Sequence, residues 1–150
     1  MEWTQNNFKI SDDSSLLNMT AIHDYLSNQS YWAKNISAAR VKAACENSLC
    51  FGLYDVNDQI GLARVITDYA TFAYLCDVYV LPAYQGKGLG KWLMSCVMGH
   101  PELQELRRWI LATKDAHGLY KHSGFGPLTN HDRHMEYRNS KVFDGEWLIE

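Results

Sequence analysis

A glycine-rich turn near the middle of the chain is the segment best suited to bind a charged group. It reads Gln85-Gly86-Lys87-Gly88-Leu89-Gly90-Lys91 and follows an apolar, β-branched stretch that ends at Pro82. Glycines let the backbone approach a ligand closely, and a helix that begins here presents unpaired N–H groups and the positive end of its dipole. The segment therefore predicts an anion site at a helix start. The alternative is a glycine-rich loop that binds nothing.

Two common phosphate-binding patterns do not fit this turn. The phosphate loop of nucleotide hydrolases needs a Ser or Thr after its lysine, but Lys91 is followed by Trp92. The dinucleotide pattern Gly-x-Gly-x-x-Gly, begun at Gly86, requires a glycine at position 91, which is Lys91. The anion is therefore expected to belong to another kind of ligand.

Further along the chain lies a short segment with a tyrosine inside it. It reads Asp115-Ala116-His117-Gly118-Leu119-Tyr120-Lys121-His122-Ser123-Gly124-Phe125. This segment resembles the Ala-x-x-Leu-Tyr-x-x-x-Gly-Phe signature of the GNAT superfamily of acetyl-CoA-dependent N-acetyltransferases. The glycine turn after Val78-Tyr79-Val80-Leu81-Pro82 resembles the same family's cofactor-binding turn. The resemblance covers residues 48–138, whereas the first 45 residues contain no signature.

The resemblance implies a mixed α/β fold in which a central, mostly antiparallel sheet has helices on both faces. Two neighbouring strands splay apart to bind the pantetheine arm of acetyl-CoA, and the glycine turn holds the pyrophosphate. The implied cosubstrate is acetyl-CoA, and no metal is implied. The implied cofactor-binding residues are Val78, Tyr79, Val80, Gln85, Gly86, Lys87, Gly88, Leu89, Gly90, Lys91, Thr113 and Tyr120.

Thr113 departs from the family pattern. Many members have Asn at this position, where its side chain binds the pantetheine arm. A threonine hydroxyl has a shorter reach but can also form a hydrogen bond. The resemblance therefore predicts a changed cofactor contact at Thr113.

Tyr120 matches the family tyrosine that lies near the cofactor sulfur. A departing thiolate, with a pKa of about 8.5, gains from a proton donor, and a phenol hydroxyl can be that donor. The backbone N–H of Val80 is implied to donate to the thioester carbonyl, where charge develops during the reaction. The alternative for Tyr120 is a core tyrosine on a short helix.

Asp77 is the candidate general base. An alkylammonium group, with a pKa of about 10.4, must lose a proton before its nitrogen can attack a carbonyl, and a carboxylate usually accepts that proton. Asp77 lies three residues before Val80, where family members often have an acidic residue. The alternative is a carboxylate satisfied by the backbone or by an arginine such as Arg64. A covalent route through Cys96 is disfavoured because this residue lies in mid-helix.

The acceptor amine is expected to bind opposite the cofactor. Tyr31 and Trp32 lie in the linker between the first two helices, a region that often lines the acceptor site in the family. Two aromatic residues that close the edge of the core are the alternative. Further acceptor-site candidates are Asp68, Tyr69 and Phe72 in the turn before the splayed strand.

The hydrophobic periodicity predicts the order β-α-α-β-β-β-α-β-α-β for the elements that position these residues. Ser14 or Ser15 is expected to cap the first helix, and Ser37 the second. Pro82 ends the third central strand, and Gly124 closes the last helix. The strands are predicted at residues 3–10, 49–54, 60–67, 71–81, 109–113 and 134–138. The helices are predicted from 15 or 16 to 26, from 38 to 46, from within the glycine turn to about 99, and from 115 or 116 to 122.

The bulk properties exclude some classes of protein. A length of 150 residues predicts one domain, and a net charge of −3 disfavours non-specific nucleic-acid binding. No basic and apolar leader begins the sequence, and no apolar run reaches the ~18–20 residues of a membrane helix, so a cytoplasmic protein is expected. None of the four cysteines forms a Cys-x-x-Cys pair.

The sequence therefore predicts an N-acetyltransferase that transfers an acetyl group from acetyl-CoA to a primary amine by direct attack in a ternary complex. The acceptor is a small amine or the amine of a peptide or protein, and both a monomer and a homodimer remain open. The first alternative is an acyl-CoA-binding regulatory module that has lost catalysis, against which Tyr120 and Asp77 argue. The second is a nucleic-acid-binding or protein-binding domain, against which the acidic charge balance argues.

Overall fold

In the part of the chain that the structure describes, six strands pair in the order in which they occur along the sequence. The computed structural model describes residues 1–142. Neighbouring strands from β1 to β5 are antiparallel, and β6 runs parallel to β5 at the edge of the sheet. This arrangement confirms the predicted mixed α/β fold. The strands are β1 (Glu2–Gln5), β2 (Phe8–Ser11), β3 (Leu49–Asp55), β4 (Asp58–Thr67), β5 (Phe72–Val80) and β6 (Arg108–Leu111).

Four helices cover the two faces of the sheet. They are α1 (Met19–Asn28), α2 (Ala38–Glu46), α3 (Leu89–Met98) and α4 (His117–His122). The Ser37 hydroxyl accepts the N–H of Arg40 and caps α2, as predicted. Within residues 1–142, no helix combines the length and the apolar character needed to cross a membrane.

The alternation of strand side chains divides the interior into two cores. Ala63 and Val65 of β4 and Leu75 of β5 pack on the α3 side, whereas Leu62 and Tyr79 pack on the α1–α2 side. Each of these side chains is at most 5% exposed. The same strands therefore fix helices on both faces, and these helices frame the site described below.

The N-terminal region differs from the prediction in two places. Residues 3–10 were predicted as one strand but form the hairpin of β1 and β2, because Asn6 adopts a left-handed φ of 56° that reverses the chain. The first α-helix begins four residues after Ser15, where the Asn18 side chain accepts the N–H of Ala21. Ser14–Leu16 forms only a 3-10 turn, because the Asp13 carboxylate accepts the N–H of Ser15 there.

The predicted last strand is wrong. Residues 134–138 alternate in sequence like a strand but pair with no other strand among the described residues. Met135 and Tyr137 are 97% and 93% exposed, so the apolar positions that suggested a strand do not pack against the core of their own chain.

Candidate active site

A β-bulge interrupts the pairing of β4 and β5 at Asp77. The register shifts between Leu62 and Arg64, so Asp77 and Val78 both lie opposite Ala63. Asp77 has a φ of 52°, a left-handed conformation that is uncommon outside glycine. A bulge of this kind bends its strand and redirects the groups that follow it.

Two side chains hold the Asp77 carboxylate in place. Arg64 Nε donates to Oδ2 at 2.7 Å, and Trp32 Nε1 donates to Oδ1 at 2.8 Å. The Arg64 and Asp77 side chains are 15% and 10% exposed, and Arg64 Nη1 also donates to the Ser48 hydroxyl. Burial lowers the pKa of Arg64, but the negative charge of Asp77, its hydrogen bond to Arg64 and the nearby thiols of Cys76 and Cys45 together raise the pKa overall. Both oxygens of Asp77 thus accept hydrogen bonds from side chains. This matches the alternative in which an arginine such as Arg64 satisfies the carboxylate.

Beyond the bulge, β5 separates from β6. The parallel pairing joins Phe72–Leu75 only to Arg108–Leu111, and no pairing follows Leu75 and Leu111. On the other side of β5, Leu81 N–H donates to the Ile60 carbonyl. Because successive residues alternate the direction of their main-chain groups, Val80 and Val78 turn theirs away from β4 and toward the gap.

The loop between α1 and α2 bridges this gap. Trp32 donates to Asp77 on the β5 side, and the Tyr31 hydroxyl accepts the N–H of Lys114, which follows β6, at 2.8 Å. The two rings pack edge to face with centroids 5.0 Å apart. Tyr31 and Trp32 therefore connect both sides of the splay, and their role at an acceptor site stays a prediction.

Two adjacent cavities, which share several lining residues, occupy the splay. The smaller, of about 60 Å³, lies between the separated strand ends and is lined by Tyr31, Trp32, Asp77, Val78, Thr113 and Tyr120, among others. The larger is an open cleft of about 680 Å³ that runs from Val78 and Val80 to the glycine turn. It is lined in addition by Tyr25, Tyr79, Tyr84, Asp115, Leu119 and Tyr120.

The glycine turn leads into α3 with its N–H groups available. Gly86 and Gly88 have φ of 82° and 78°, and a Cβ at either position would meet no atom within 4 Å. Glycine is thus favoured there by backbone conformation and not by crowding. No side chain caps α3, and no acidic residue lies in its first turn. The first N–H groups of the helix therefore face the cleft without a local acceptor.

Tyr120 lies on α4 at the junction of the two cavities. Its side chain is 8% exposed and packs edge to face on Phe125, with centroids 6.2 Å apart. Thr113 Oγ1 accepts the N–H of Ala116 at 3.1 Å, which fixes the start of α4. Gln85 Nε2 donates to the Val80 carbonyl at 2.9 Å, so this side chain connects the glycine turn to the splayed strand.

A model of the acetyltransferase (GNAT) family matches residues 19–125. The chain belongs to the GNAT family. A protein of Gibberella zeae named as an acetyltransferase is 36% identical over an alignment of 141 residues. The alignment covers 79% of this chain and 78% of the fungal protein. GNAT membership confirms the family that the two sequence motifs indicated.

Solved structures agree with this family. A crystal structure from Xanthomonas campestris pv. campestris, described as a GNAT acetyltransferase, is 48% identical with a TM-score of 0.88, over 92% of this chain and 97% of that one. A GNAT acetyltransferase of Elizabethkingia anophelis with acetyl-CoA bound shares the fold, with a TM-score of 0.58 and 14% identity over 81% of this chain and 76% of that one.

The remaining acceptor-site candidates of this GNAT chain lie away from the cleft. Asp68 accepts the N–H groups of Ala70, Thr71 and Phe72 and the Thr71 hydroxyl, and these bonds lower the pKa of Asp68. Phe72 begins β5, five residues before the bulge and thus about 17 Å from it at roughly 3.3–3.4 Å per residue. Asp68, Tyr69 and Phe72 line neither cavity.

Two residues that sequence reasoning did not select line the cleft. Tyr25 of α1 stacks on Tyr79 with centroids 3.9 Å apart, and Asp115 is an exposed carboxylate that lines both cavities. Burial, together with the negative charge of Asp115, raises the pKa of Tyr25. The sequence feature that could have pointed to Asp115 is its position directly before the α4 signature. For Tyr25, the sequence offered only its apolar spacing in the first helix.

Cys96 lines neither cavity. It is 4% exposed within the α3 core, and burial raises the pKa of its thiol to about 11. A neutral, buried thiol is a poor nucleophile. Among residues 1–142, no cluster of three His, Cys, Asp or Glu side chains is placed to hold a metal.

The Arg64–Asp77 pair gives a first prediction about stability. Arg64→Met removes the cation and leaves the buried Asp77 carboxylate uncompensated, so the free energy of unfolding should fall by about 3–5 kcal/mol. Arg40→Met, on the exposed face of α2, is the matched control and should change it by less than about 0.5 kcal/mol. Urea denaturation measures both variants. Equal stability of the two would mean that the ion pair does not hold the bulge.

Proposed function

We propose that the chain transfers an acetyl group from acetyl-CoA to a primary amine by direct attack in a ternary complex. The splay of β5 from β6 supports this most strongly, because it exposes main-chain groups of Val78 and Val80 to a cleft that continues to an uncapped helix start. A cleft of this shape suits a long ligand with an amide-containing arm at one end and phosphates at the other. Family membership supports the same cosubstrate.

The glycine turn is proposed to hold the pyrophosphate. Its backbone has open space at Gly86 and Gly88, and α3 offers N–H donors and its positive dipole end to an anion. Lys87 and Lys91 add positive charge at the same end of the cleft. The donor set therefore fits phosphates without a metal ion.

Val78 and Val80 are proposed to pair with the pantetheine amides as a neighbouring strand would. The N–H of Val80 is proposed to donate to the thioester carbonyl and to stabilise the charge that develops on the oxygen. Gln85 donates to the Val80 carbonyl in the present arrangement, so cofactor binding requires this side chain to share or release that acceptor.

Tyr120 is proposed as the proton donor to the leaving thiolate. The amine nitrogen forms a bond to the acetyl carbon and loses a further proton to water, the carbon–sulfur bond breaks, and the sulfur takes the phenol proton. Tyr120 lines both cavities, which supports a proton donor at the boundary between them. Tyr120 recovers its proton from solvent through the open cleft.

Asp77 is proposed as a positioning residue, because Arg64 and Trp32 occupy both of its oxygens. Its carboxylate fixes the bulge and the Trp32 indole at the acceptor end. The proton lost by the ammonium then passes to water or to Asp115, the exposed carboxylate at the junction of the cavities. The aromatic wall of Tyr31 and Trp32 suits the carbon stem of an amine.

The first test of this function concerns the glycine turn. Acetyl-CoA at about 100 times its dissociation constant should stabilise the protein by about 2.7 kcal/mol. Gly88→Glu places a carboxylate in the anion site and should abolish this shift, whereas Gly126→Glu adds the same charge at an open position outside the cleft. Differential scanning fluorimetry, with and without ligand, measures both. A full ligand-induced shift in Gly88→Glu would refute the pyrophosphate assignment.

Tyr120→Phe tests the proton donor. The ring and its contact with Phe125 are kept, so kcat should fall by roughly 10²–10⁴ while the affinity for acetyl-CoA stays close to that of the wild type. CoA release with a panel of amines gives kcat, and calorimetry gives the affinity. Normal turnover would show that the thiolate leaves without this proton.

Asp77→Asn separates a positioning role from that of a general base. A positioning residue predicts a loss of kcat/KM by the same factor from neutral to alkaline pH, because the chemistry of deprotonation is unchanged. A general base predicts a loss that fades as pH approaches the pKa of the amine. Trp32→Phe is the companion variant, since it removes the indole donor to Asp77 and should show the same flat profile. A loss that disappears at high pH in Asp77→Asn alone would return Asp77 to the role of base.

A further inference from the structure

The smaller cavity at the splay is narrow, and its walls are mainly apolar. Its volume of about 60 Å³ holds a chain of roughly four to six water-sized groups, because one such group needs about 10–15 Å³. The rings of Tyr31 and Trp32 pack edge to face at this cavity. The other apolar lining residues are Leu75, Val78, Leu111, Ala112 and Ala116. The cavity therefore has room for an unbranched alkyl stem but not for a wider group such as a sugar ring.

The charged side chains that line this cavity are two carboxylates. Among the described residues, no Lys, Arg or His lines it. The charge of Asp77 is compensated by Arg64 at 2.7 Å, and both oxygens of Asp77 accept hydrogen bonds. Asp115, by contrast, is exposed and forms no ion pair with any residue that the structure describes. Asp115 therefore provides the negative charge that remains for a ligand.

Asp115 acts on the interior of the site from the connection between β6 and α4. It lines both cavities. Burial and, as the smaller cause, the negative charge of Asp115 raise the pKa of Tyr25, so this charge is felt on the α1 side of the cleft. The Asp115 carboxylate thus attracts a cation that enters either cavity and repels an anion there.

The aromatic wall already attracts one alkylammonium group of the chain itself. Lys114 Nζ lies 5.4 Å from the centroid of the Tyr31 ring, which is a cation–π distance. Lys114 lines neither cavity, so its ammonium group does not fill the space beside Trp32 and Asp115. An ammonium group inside the smaller cavity therefore meets aromatic rings and an uncompensated carboxylate together.

We propose that the acceptor is a primary amine on an unbranched alkyl stem with no carboxylate beside the amine, and that Asp115 selects it. This inference rests on the proposed function, since it assigns the smaller cavity to the acceptor. In an α-amino acid the carboxylate is bonded to the carbon that bears the amine, so it meets the charge of Asp115 as well. Two unit charges about 4 Å apart change an equilibrium by roughly fivefold in water, and by more in a partly enclosed site.

Three related amines separate the effect of charge from that of shape. Norvaline is butylamine with a carboxylate on the carbon that bears the amine, and norvalinamide has a neutral amide there. Asp115→Asn should lower kcat/KM for butylamine and norvalinamide by about fivefold, because both lose an attraction. For norvaline kcat/KM should stay the same or rise, because norvaline also loses a repulsion. Each amine is compared with itself, so its intrinsic reactivity cancels.

Two further variants complete the kinetic experiment, in which CoA release is measured. Asp132→Asn removes an exposed carboxylate that lines neither cavity, and it should change none of the three values. Lys114→Gln should not lower kcat/KM for norvaline. A loss for norvaline in Lys114→Gln would show that Lys114 binds an acceptor carboxylate and would overturn the proposal. An equal loss for all three amines in Asp115→Asn would also overturn it, since Asp115 would then act on the reaction without selecting the acceptor.

A binding titration decides the selection without turnover. The protein is saturated with CoA, and the amines are titrated by NMR at about pH 6, where all three are ammonium ions. Butylamine should bind more tightly than norvalinamide, and norvaline should bind most weakly. The preference for butylamine over norvaline should shrink by about fivefold in Asp115→Asn. Equal affinity for the three amines, or affinity for none, would refute the selection. If no amine releases CoA, the proposed acetyl transfer fails, while this titration still tests the role of Asp115.

Discussion

The ion pair between Arg64 and Asp77 is the constraint on which the site depends. A carboxylate in the interior of a sheet is strongly unfavourable unless a cation and further donors compensate it. Arg64 and the Trp32 indole provide that compensation at 2.7 and 2.8 Å, and they do so only where the bulge places the carboxylate. The bulge in turn directs β5 away from β6 and anchors the α1–α2 loop across the gap. One buried charge thus organises the strand, the splay and the α1–α2 loop.

The elements around the cleft are rigid on both faces because the sheet supports a core on each side. α3 is fixed by Leu89, Leu93, Met94 and Val97, all at most 5% exposed, so the glycine turn is held at a constant position relative to Val80. Tyr84 adds a second restraint, because its hydroxyl donates to Asp55 at the end of β3. The glycine turn and the splayed end of β5 therefore belong to one packed unit.

Sequence reasoning predicted the parts of this fold that local chemistry determines. Ser37 capping α2, the strand bounds around Asp55 and Thr67, and the glycine turn before α3 follow from capping, turn and periodicity rules. The two sides of the splay could also be placed, because family motifs mark Val80 and Tyr120. The engagement of Asp77 by Trp32 could not be predicted, since 45 residues separate them in sequence and only tertiary packing joins them. The strand prediction for residues 134–138 failed for a different reason, because an alternating pattern of side chains does not show whether a neighbouring strand is available for pairing.

The bulge also determines how β5 tolerates insertion and deletion. Ala73 and Leu75 face the α3 core, and after the bulge Val78 and Val80 face it again, so the alternation changes phase at Asp77. Without Asp77, every remaining residue of β5 would keep its face and pair with β4 in one continuous register. Asp77 is therefore the extra residue of the bulge. Its loss would favour a flatter, more regular sheet and would leave Arg64 without its carboxylate partner. A one-residue deletion here would replace the splay and its cleft with regular pairing between β4 and β5. The chain keeps Asp77 although this residue makes its sheet irregular.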